Sequence, residues 1–315
     1  MVDTLKLRLD VADVGGADLV STANYLTNAD ELINKSTGEV WMRGRLDNFR
    51  VYANKGCLTF EGSLPTLLYP SNAKILTRHE VAQSLQKLSD LLHLPMSRAR
   101  VLRLDCSYHW TMAKPVFEYI DRLGALTYFK RVQATINSLY YSKGGKKQTN
   151  TLLFYNKTQE CRDGRKDVPD VYTDSLLLRY ECRWLSRVSK QFGVTELKAS
   201  ALAEKPTYQM MVHKWADYYF AISKSRNAAY DFDGVRDVRG AKNWLLGYLL
   251  SHTSASSVNE VLQSMKERKI FSDAKYYTRL RQDLSEQMGK ANRGFENDLI
   301  KELDGCVRNV VAYCR

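Results

Sequence analysis

Apolar and polar residues alternate in several short stretches of the chain, which is the pattern of half-buried β-strands. The first stretch, TLKLRL, puts three leucines on one face. Between residues 39 and 69, β-branched and aromatic residues interrupted by Asn-Lys-Gly and Gly-Ser predict two or three antiparallel strands. In TRHEVAQSLQKLSDLLHL the apolar residues recur at helical spacing instead. Thr77 there precedes Glu80 by three residues, as in a capping box, so this segment is predicted to be a helix.

Two further stretches, RARVLRLDCSYHW and LLLRYECRWL, each alternate between an apolar and a polar face. The polar faces carry Arg103, Asp105 and His109 on the first strand and Arg179, Glu181 and Arg183 on the second. Cross-strand ion pairing on a solvated face explains either strand alone. Two such strands on either side of one hairpin favour a sheet whose open face binds an anion. An antiparallel sheet with helices on one face is an α+β architecture.

The periodicity becomes helical after residue 205, in stretches such as AKNWLLGYLLSHT and FENDLIKELDGCVRNVVAYC. A chain of 315 residues also exceeds the usual size of one domain. We therefore predict an α+β domain over residues 1–205 and an all-α C-terminal domain over residues 206–315.

The charge balance indicates the class of partner. The 47 Lys and Arg residues outnumber the 35 Asp and Glu residues and give a net charge of +12. Such an excess favours a polyanionic partner, nucleic acid first and an anionic membrane surface second. The N-terminal stretch has no signal-peptide pattern, and no run reaches about 18 apolar residues, so a cytoplasmic protein without membrane spans is predicted. The six cysteines and five histidines show no zinc or disulfide spacing.

A tyrosine lies near the end of a predicted strand, TLLFYNKTQE, directly after the basic turn YYSKGGKKQTN. The phenol of Tyr155 could attack a phosphate, but tyrosine has a pKa near 10 and needs cationic help. Lys157, two residues further on, is predicted on the same strand face. Tyr140 and Tyr141 are rival nucleophiles on equal physical terms, and a tyrosine in such a place usually serves packing.

Cationic help could come from a divalent ion held by Asp105 and Glu181, with His109 as a third ligand. Oxygen ligands suit Mg²⁺ or Mn²⁺, which would neutralise the phosphate under attack. The candidate phosphate contacts are Lys143, Lys146 and Lys147 in the turn and Arg103, Arg179 and Arg183 on the sheet.

Five segments occur in an order that resembles a known family: MVDTLKLRL, EGSLPTLLYPSN, VLRLDCSYH, NTLLFYNKTQE and LLLRYECRWLSRVSKQFG. The family is that of the replication initiators of filamentous bacteriophages and related plasmids, of the gene II/X type, and the similarity covers most of residues 1–193. Its members nick and join single strands and are related to rolling-circle initiators of the HUH-endonuclease type. The resemblance implies that Tyr155, in LLFYNK, is the nucleophile. It also implies that RLD and RYE supply acidic metal ligands, although this chain has no His-hydrophobic-His triplet.

The function implied is initiation of rolling-circle replication through a 5′-phosphotyrosine, which makes residues 1–205 a nicking and joining endonuclease domain. The implied partners are phage or plasmid DNA, as a double-stranded origin and a single strand, with host helicase and polymerase. Two alternatives stay open: a non-catalytic DNA-binding protein, such as a repressor or single-strand binder, and a relaxase or transposase with the same tyrosine chemistry.

Overall fold

The computed structural model describes residues 1–145, 147–164, 176–224, 235–251, 255–291 and 298–314. Within them, ten strands form one antiparallel sheet in the order β2-β3-β4-β5-β1-β6-β10-β9-β8-β7. The strands are β1 Val2–Asp10, β2 Thr27–Ile33, β3 Val40–Leu46, β4 Phe49–Ala53, β5 Cys57–Ser63, β6 Arg100–Thr111, β7 Lys130–Thr135, β8 Ser138–Lys143, β9 Asn150–Asn156 and β10 Leu177–Trp184. Of the two or three strands expected between residues 39 and 69, the structure has three, β3, β4 and β5.

Helices pack on one face of this sheet and continue into the C-terminal region. They are α1 Arg78–Leu92, α2 Val116–Ile120, α3 Lys157–Asp163, α4 Val188–Gln191, α5 Lys205–Ala221, α6 Val238–Ser251, α7 Ala255–Glu267, α8 Ala274–Ala291 and α9 Asp298–Tyr313. The α+β prediction, with a helical C-terminal region, is confirmed. No helix in the described ranges is long and apolar enough to cross a bilayer.

Local sequence signals explain the elements that support the sheet. The leucines of TLKLRL, Leu5, Leu7 and Leu9, are fully buried on the helix-covered face. At the start of α1, the Thr77 side chain accepts from the Glu80 backbone N–H and the Glu80 carboxylate accepts from the Thr77 backbone N–H, as predicted for a capping box. Apolar alternation and capping are both local effects, so they are readable from the sequence.

The C-terminal helices do not all pack in the same place. Trp215 of α5 lies against Tyr180 of β10, with ring centroids 4.8 Å apart, and Leu303 and Val307 of α9 are buried in the same core as the sheet. The helices α6 and α7 instead pack against α8. We therefore propose that the second domain consists of α6 to α8, rather than of all residues from 206 to 315.

Candidate active site

Four neighbouring strands position the polar side chains on the face of the sheet away from the core. Tyr155 of β9 is in register with Ser138 of β8 and with Arg179 of β10, and Arg179 is in register with His109 of β6. Because side chains in register on antiparallel strands project to the same side, these four groups share one face.

The next two rows along the strands bring in the carboxylates. Glu181 is in register with Ser107, and Arg183 is in register with Asp105. The side chains of Asp105 and Glu181 are buried, although both lie on the face that the sequence predicts to be open. They are covered by guanidinium groups, since Arg103 and Arg183 remain partly exposed above them.

Tyr155 lies next to one of these carboxylates. Its hydroxyl donates a long hydrogen bond of 3.5 Å to Oε2 of Glu181. Burial raises the pKa of Tyr155 above its ordinary value, the charge of Arg179 opposes that rise, and the charge of Glu181 adds to it. The phenol is therefore neutral at rest.

A guanidinium lies between the two carboxylates. Arg183 Nε is 2.7 Å from Glu181 Oε1 and 3.6 Å from Asp105 Oδ2. Arg103 binds Asp105 through two parallel bonds, from Nε to Oδ1 at 2.9 Å and from Nη2 to Oδ2 at 2.6 Å. Burial raises the pKa of Asp105 to about 7, the bonds from Arg103 oppose this, and the nearby Glu181 adds to it. The site is built to hold positive charge between two acids.

The side chains of Asp105 and Glu181 fit a hard divalent cation, because both offer carboxylate oxygens. The cationic Arg183 already lies between them. A third protein ligand has less support, since no three His, Cys, Asp or Glu side chains converge on one point in the part of the chain that the structure describes. Asp105 and His109 lie four residues apart on β6, about 13 Å along an extended strand. Burial lowers the pKa of His109 to about 3, so its imidazole is neutral. Its role as a ligand stays a prediction.

The prediction that Lys157 shares a strand face with Tyr155 is wrong. Strand β9 ends at Asn156, whose side chain accepts from the Gln159 backbone N–H and caps α3, so Lys157 is the first residue of a helix. Its ammonium group is buried and donates to Glu160 at 2.6 Å and to Asn72 at 3.0 Å. The spacing Asn-x-x-Gln resembles a capping box and could have revealed this helix start.

Arg179 is placed differently from its predicted role as a surface phosphate contact. Its side chain is fully buried, forms a short ion pair with Asp3, and donates to Ser107 Oγ at 2.6 Å and to the Asn72 carbonyl at 3.0 Å. This network joins β1, β6 and β10 beside Tyr155. Sequence reasoning missed Asp3, Ser107 and Asn72, since no local pattern pairs residues so distant in the chain.

The other predicted phosphate contacts lie around the site. Arg103 and Arg183 are partly exposed above the carboxylates, and Lys147 is exposed in the turn between β8 and β9. The ammonium of Lys143 lies over the rings of Tyr128 and Phe129. Lys146 falls outside the described residues.

The rival tyrosines are separated by strand alternation. Tyr141 is buried on the core face, where its hydroxyl donates to the Gly124 carbonyl at 2.7 Å. Tyr140 lies on the polar face, 37% exposed. It lines a cleft of about 440 Å³ together with Tyr155, Asn137 and Gln159. Of the three tyrosines, only Tyr155 contacts a carboxylate of the site.

The comparison with protein families decides the identity of the chain. Residues 1–204 match the family model Phage_CRI, which describes the N-terminal part of a replication-associated protein. The chain belongs to the Phage_CRI family. This confirms the family resemblance and identifies the chain as a replication-associated protein. In this Phage_CRI protein the match ends at Glu204, directly before α5. The matched range therefore contains all the site residues described above.

Other comparisons add little to the Phage_CRI assignment. No curated protein matches the chain significantly. Among solved structures, the rolling circle replication initiator protein from Geobacillus stearothermophilus is similar at 13% sequence identity and a TM-score of 0.40. The match covers 75% of this chain and 90% of that one.

Proposed function

We propose that this Phage_CRI protein initiates rolling-circle replication by cutting one strand of a double-stranded origin with Tyr155. The observation that carries the proposal is the phenol of Tyr155 at the wall of an open cleft, in contact with Glu181 and in register with the buried Arg179. The net charge of +12 and membership of a replication-associated family support a DNA substrate.

The chemistry exchanges one phosphodiester for another. The Tyr155 oxygen forms a bond to the scissile phosphorus, and the bond from phosphorus to the 3′ oxygen breaks. The products are a 5′-phosphotyrosine and a strand with a free 3′-hydroxyl, which takes its proton from water. The phenol proton passes to Oε2 of Glu181, the oxygen nearest to the hydroxyl, and from there to solvent, which balances the proton that water gives to the 3′ oxygen. Host polymerase would extend the 3′-hydroxyl while host helicase unwinds the duplex.

Rejoining is the same reaction reversed. A 3′-hydroxyl attacks the phosphotyrosine, the phosphodiester reforms, and the Tyr155 oxygen recovers its proton. The bond energy is conserved throughout, so no nucleotide hydrolysis is needed, and the sequence contains no GxxxxGK[ST] motif.

Charged groups of the site would stabilise the transition state. The buried Arg179 favours the phenolate form of Tyr155, and the partly exposed Arg103 and Arg183 would contact the phosphate oxygens. A divalent cation, Mg²⁺ or Mn²⁺, held by Asp105 and Glu181 would add Lewis-acid neutralisation of the phosphate. Arg183 would have to withdraw from between the two carboxylates to admit it.

The proposal is tested by incubating the purified protein with Mg²⁺ and the supercoiled circular DNA of the phage or plasmid that encodes it. We expect relaxed circles that carry protein at a 5′ end, with the attached peptide containing Tyr155, and no relaxation when the metal is chelated. A repressor or single-strand binder would shift the DNA without relaxing it. A relaxase or transposase would cut only a transfer origin or an element end.

The cleft beside Tyr155 makes Tyr140 a candidate base-stacking residue, because its ring is exposed one row away on the neighbouring strand. Tyr140→Ala should weaken binding of a single-stranded substrate by about 1–3 kcal/mol, the usual contribution of one stacked base. The expected kinetic result is a raised KM with little change in kcat. Tyr140→Phe keeps the ring and should behave as the wild type. Equal loss in both variants would contradict a stacking role.

A further inference from the structure

One end of the sheet, residues 27–53, comprises β2, β3 and β4, and we call it the arm. All seven residues of β2 are exposed, and so are Arg43 and Arg45 of β3. The arm lies at the opposite end of the strand order from β7, and the nicking chemistry uses none of its residues.

The register places the arginines of the arm on the same face as the active site. Arg45 pairs with Arg50, Arg50 with Glu61, Glu61 with Lys6, and Lys6 with Arg103. These five residues therefore form one straight row across five strands. Ion pairs confirm the shared face, since Glu61 contacts Lys6 at 3.3 Å and Arg103 at 3.0 Å.

The outer end of this row carries uncompensated positive charge. Arg45 and Arg50 lie directly opposite each other on adjacent strands, and neither has an acidic partner within ion-pair distance among the residues that the structure describes. Like charges in directly opposed positions destabilise a sheet. Arg43 differs, because it is paired with Asp30 at 3.0 Å. A phosphate between the two unpaired guanidinium groups would remove the repulsion.

The arm also contains a groove on the arginine side and a packed surface on the opposite side. A groove of about 270 Å³ is lined by Arg45, Arg50, Asn28 and Tyr52, among others. On the opposite face Leu26 packs directly over Gly44, where an added Cβ would lie 2.8 Å from the Leu26 Cβ. That packing covers one side of β3 and leaves the arginine side open.

Strand geometry gives the distance from the arm to the nucleophile. From β3 to β9 there are six steps across the sheet, which is about 29 Å at the usual strand spacing. A duplex rises 3.4 Å per base pair, so this separation corresponds to about nine base pairs.

We propose that the arm binds the sugar-phosphate backbone of duplex DNA, with Arg45 and Arg50 clamping a phosphate about nine base pairs from the one attacked by Tyr155. The row spans four strand steps, about 19 Å, and contains four cations and Glu61, so its fixed spacing fits the regular backbone of a duplex better than a flexible single strand. The placement relative to the nick rests on the proposed function, whereas duplex binding by the arm does not.

The test measures binding of a fluorescein-labelled random-sequence duplex of about 20 base pairs, two helical turns, by anisotropy over a range of salt concentrations. Arg45→Gln/Arg50→Gln should weaken binding at least about tenfold at low salt and reduce the slope of log affinity against log salt by about 0.9, for the one phosphate that the two arginines clamp. The matched control, Lys35→Gln/Lys55→Gln, removes two exposed charges from the turns that follow β2 and β4 and should change the slope far less. Thermal unfolding should show no loss of stability in the arginine variant, since it removes a repulsive pair.

Three outcomes would overturn the inference: an unchanged salt slope in the arginine variant, an equal loss in the lysine control, or normal duplex binding with loss of binding to a polyglutamate peptide or to anionic vesicles. A second assay separates this inference from the proposed function. Cleavage of a single-stranded oligonucleotide that carries the nick sequence without flanking duplex should be unchanged in the arginine variant. If the wild-type protein cuts no DNA at all, the proposed function fails, and the anisotropy result still decides the role of the arm.

Discussion

Tyr155→Phe should reduce nicking and covalent attachment by about 10³-fold or more, because the variant lacks the oxygen that would form the proposed phosphotyrosine. DNA affinity should be unchanged, since the aromatic ring and the surrounding cations remain. Stability should also be unchanged, because the only hydrogen bond lost is the long contact to Glu181 at 3.5 Å. The measurements are relaxation of supercoiled DNA, detection of the protein-linked 5′ end, and anisotropy.

The matched control is Tyr141→Phe, which removes a hydroxyl from the neighbouring strand on the core face. It should keep full nicking activity at some cost in stability. If the Tyr155→Phe protein still forms covalent complexes, the nucleophile is another residue and the assignment of Tyr155 is incorrect, although the reaction class would stand. Equal loss of DNA binding and nicking would point instead to a structural role of the phenol.

Arg179→Gln should destabilise the protein by about 3–5 kcal/mol, because it leaves the buried Asp3 without its ion-pair partner. The guanidinium of Arg179 is a buried positive charge beside Tyr155, and its contacts link three strands. Denaturant unfolding measures the loss. The reverse of nicking, rejoining, should also slow in the fraction that remains folded, since the phenolate leaving group loses its nearest buried cation.

Two further variants make this prediction specific. The double variant Asp3→Asn/Arg179→Gln removes both charges and should recover a large part of the lost stability, since removing both partners of a buried pair costs less than removing one. Arg43→Gln breaks an exposed ion pair with Asp30 and should cost less than about 1 kcal/mol. If Arg179→Gln costs no more than Arg43→Gln, Arg179 does not form a buried ion pair in solution.

Much of the fold was readable from local sequence. Period-two alternation identified β1, β6 and β10, and a capping box with helical spacing identified α1, because burial of alternate side chains and capping of free backbone groups depend on residues close in the chain. The same alternation put Asp105 and Glu181 on the face away from the core. The family resemblance singled out Tyr155, which local physics alone could not distinguish from Tyr140.

Alternation determines which side of a strand a residue faces, but not what lies above that side. Only the tertiary structure showed that Arg179 is buried against Asp3, that Arg183 lies between two carboxylates, and that the row from Arg45 to Arg103 runs across five strands. Each of these depends on strand order and register between segments far apart in sequence, and register is set by the packing of the whole sheet. The sequence by itself determined the elements and their faces, and the assembled sheet decided which charges meet.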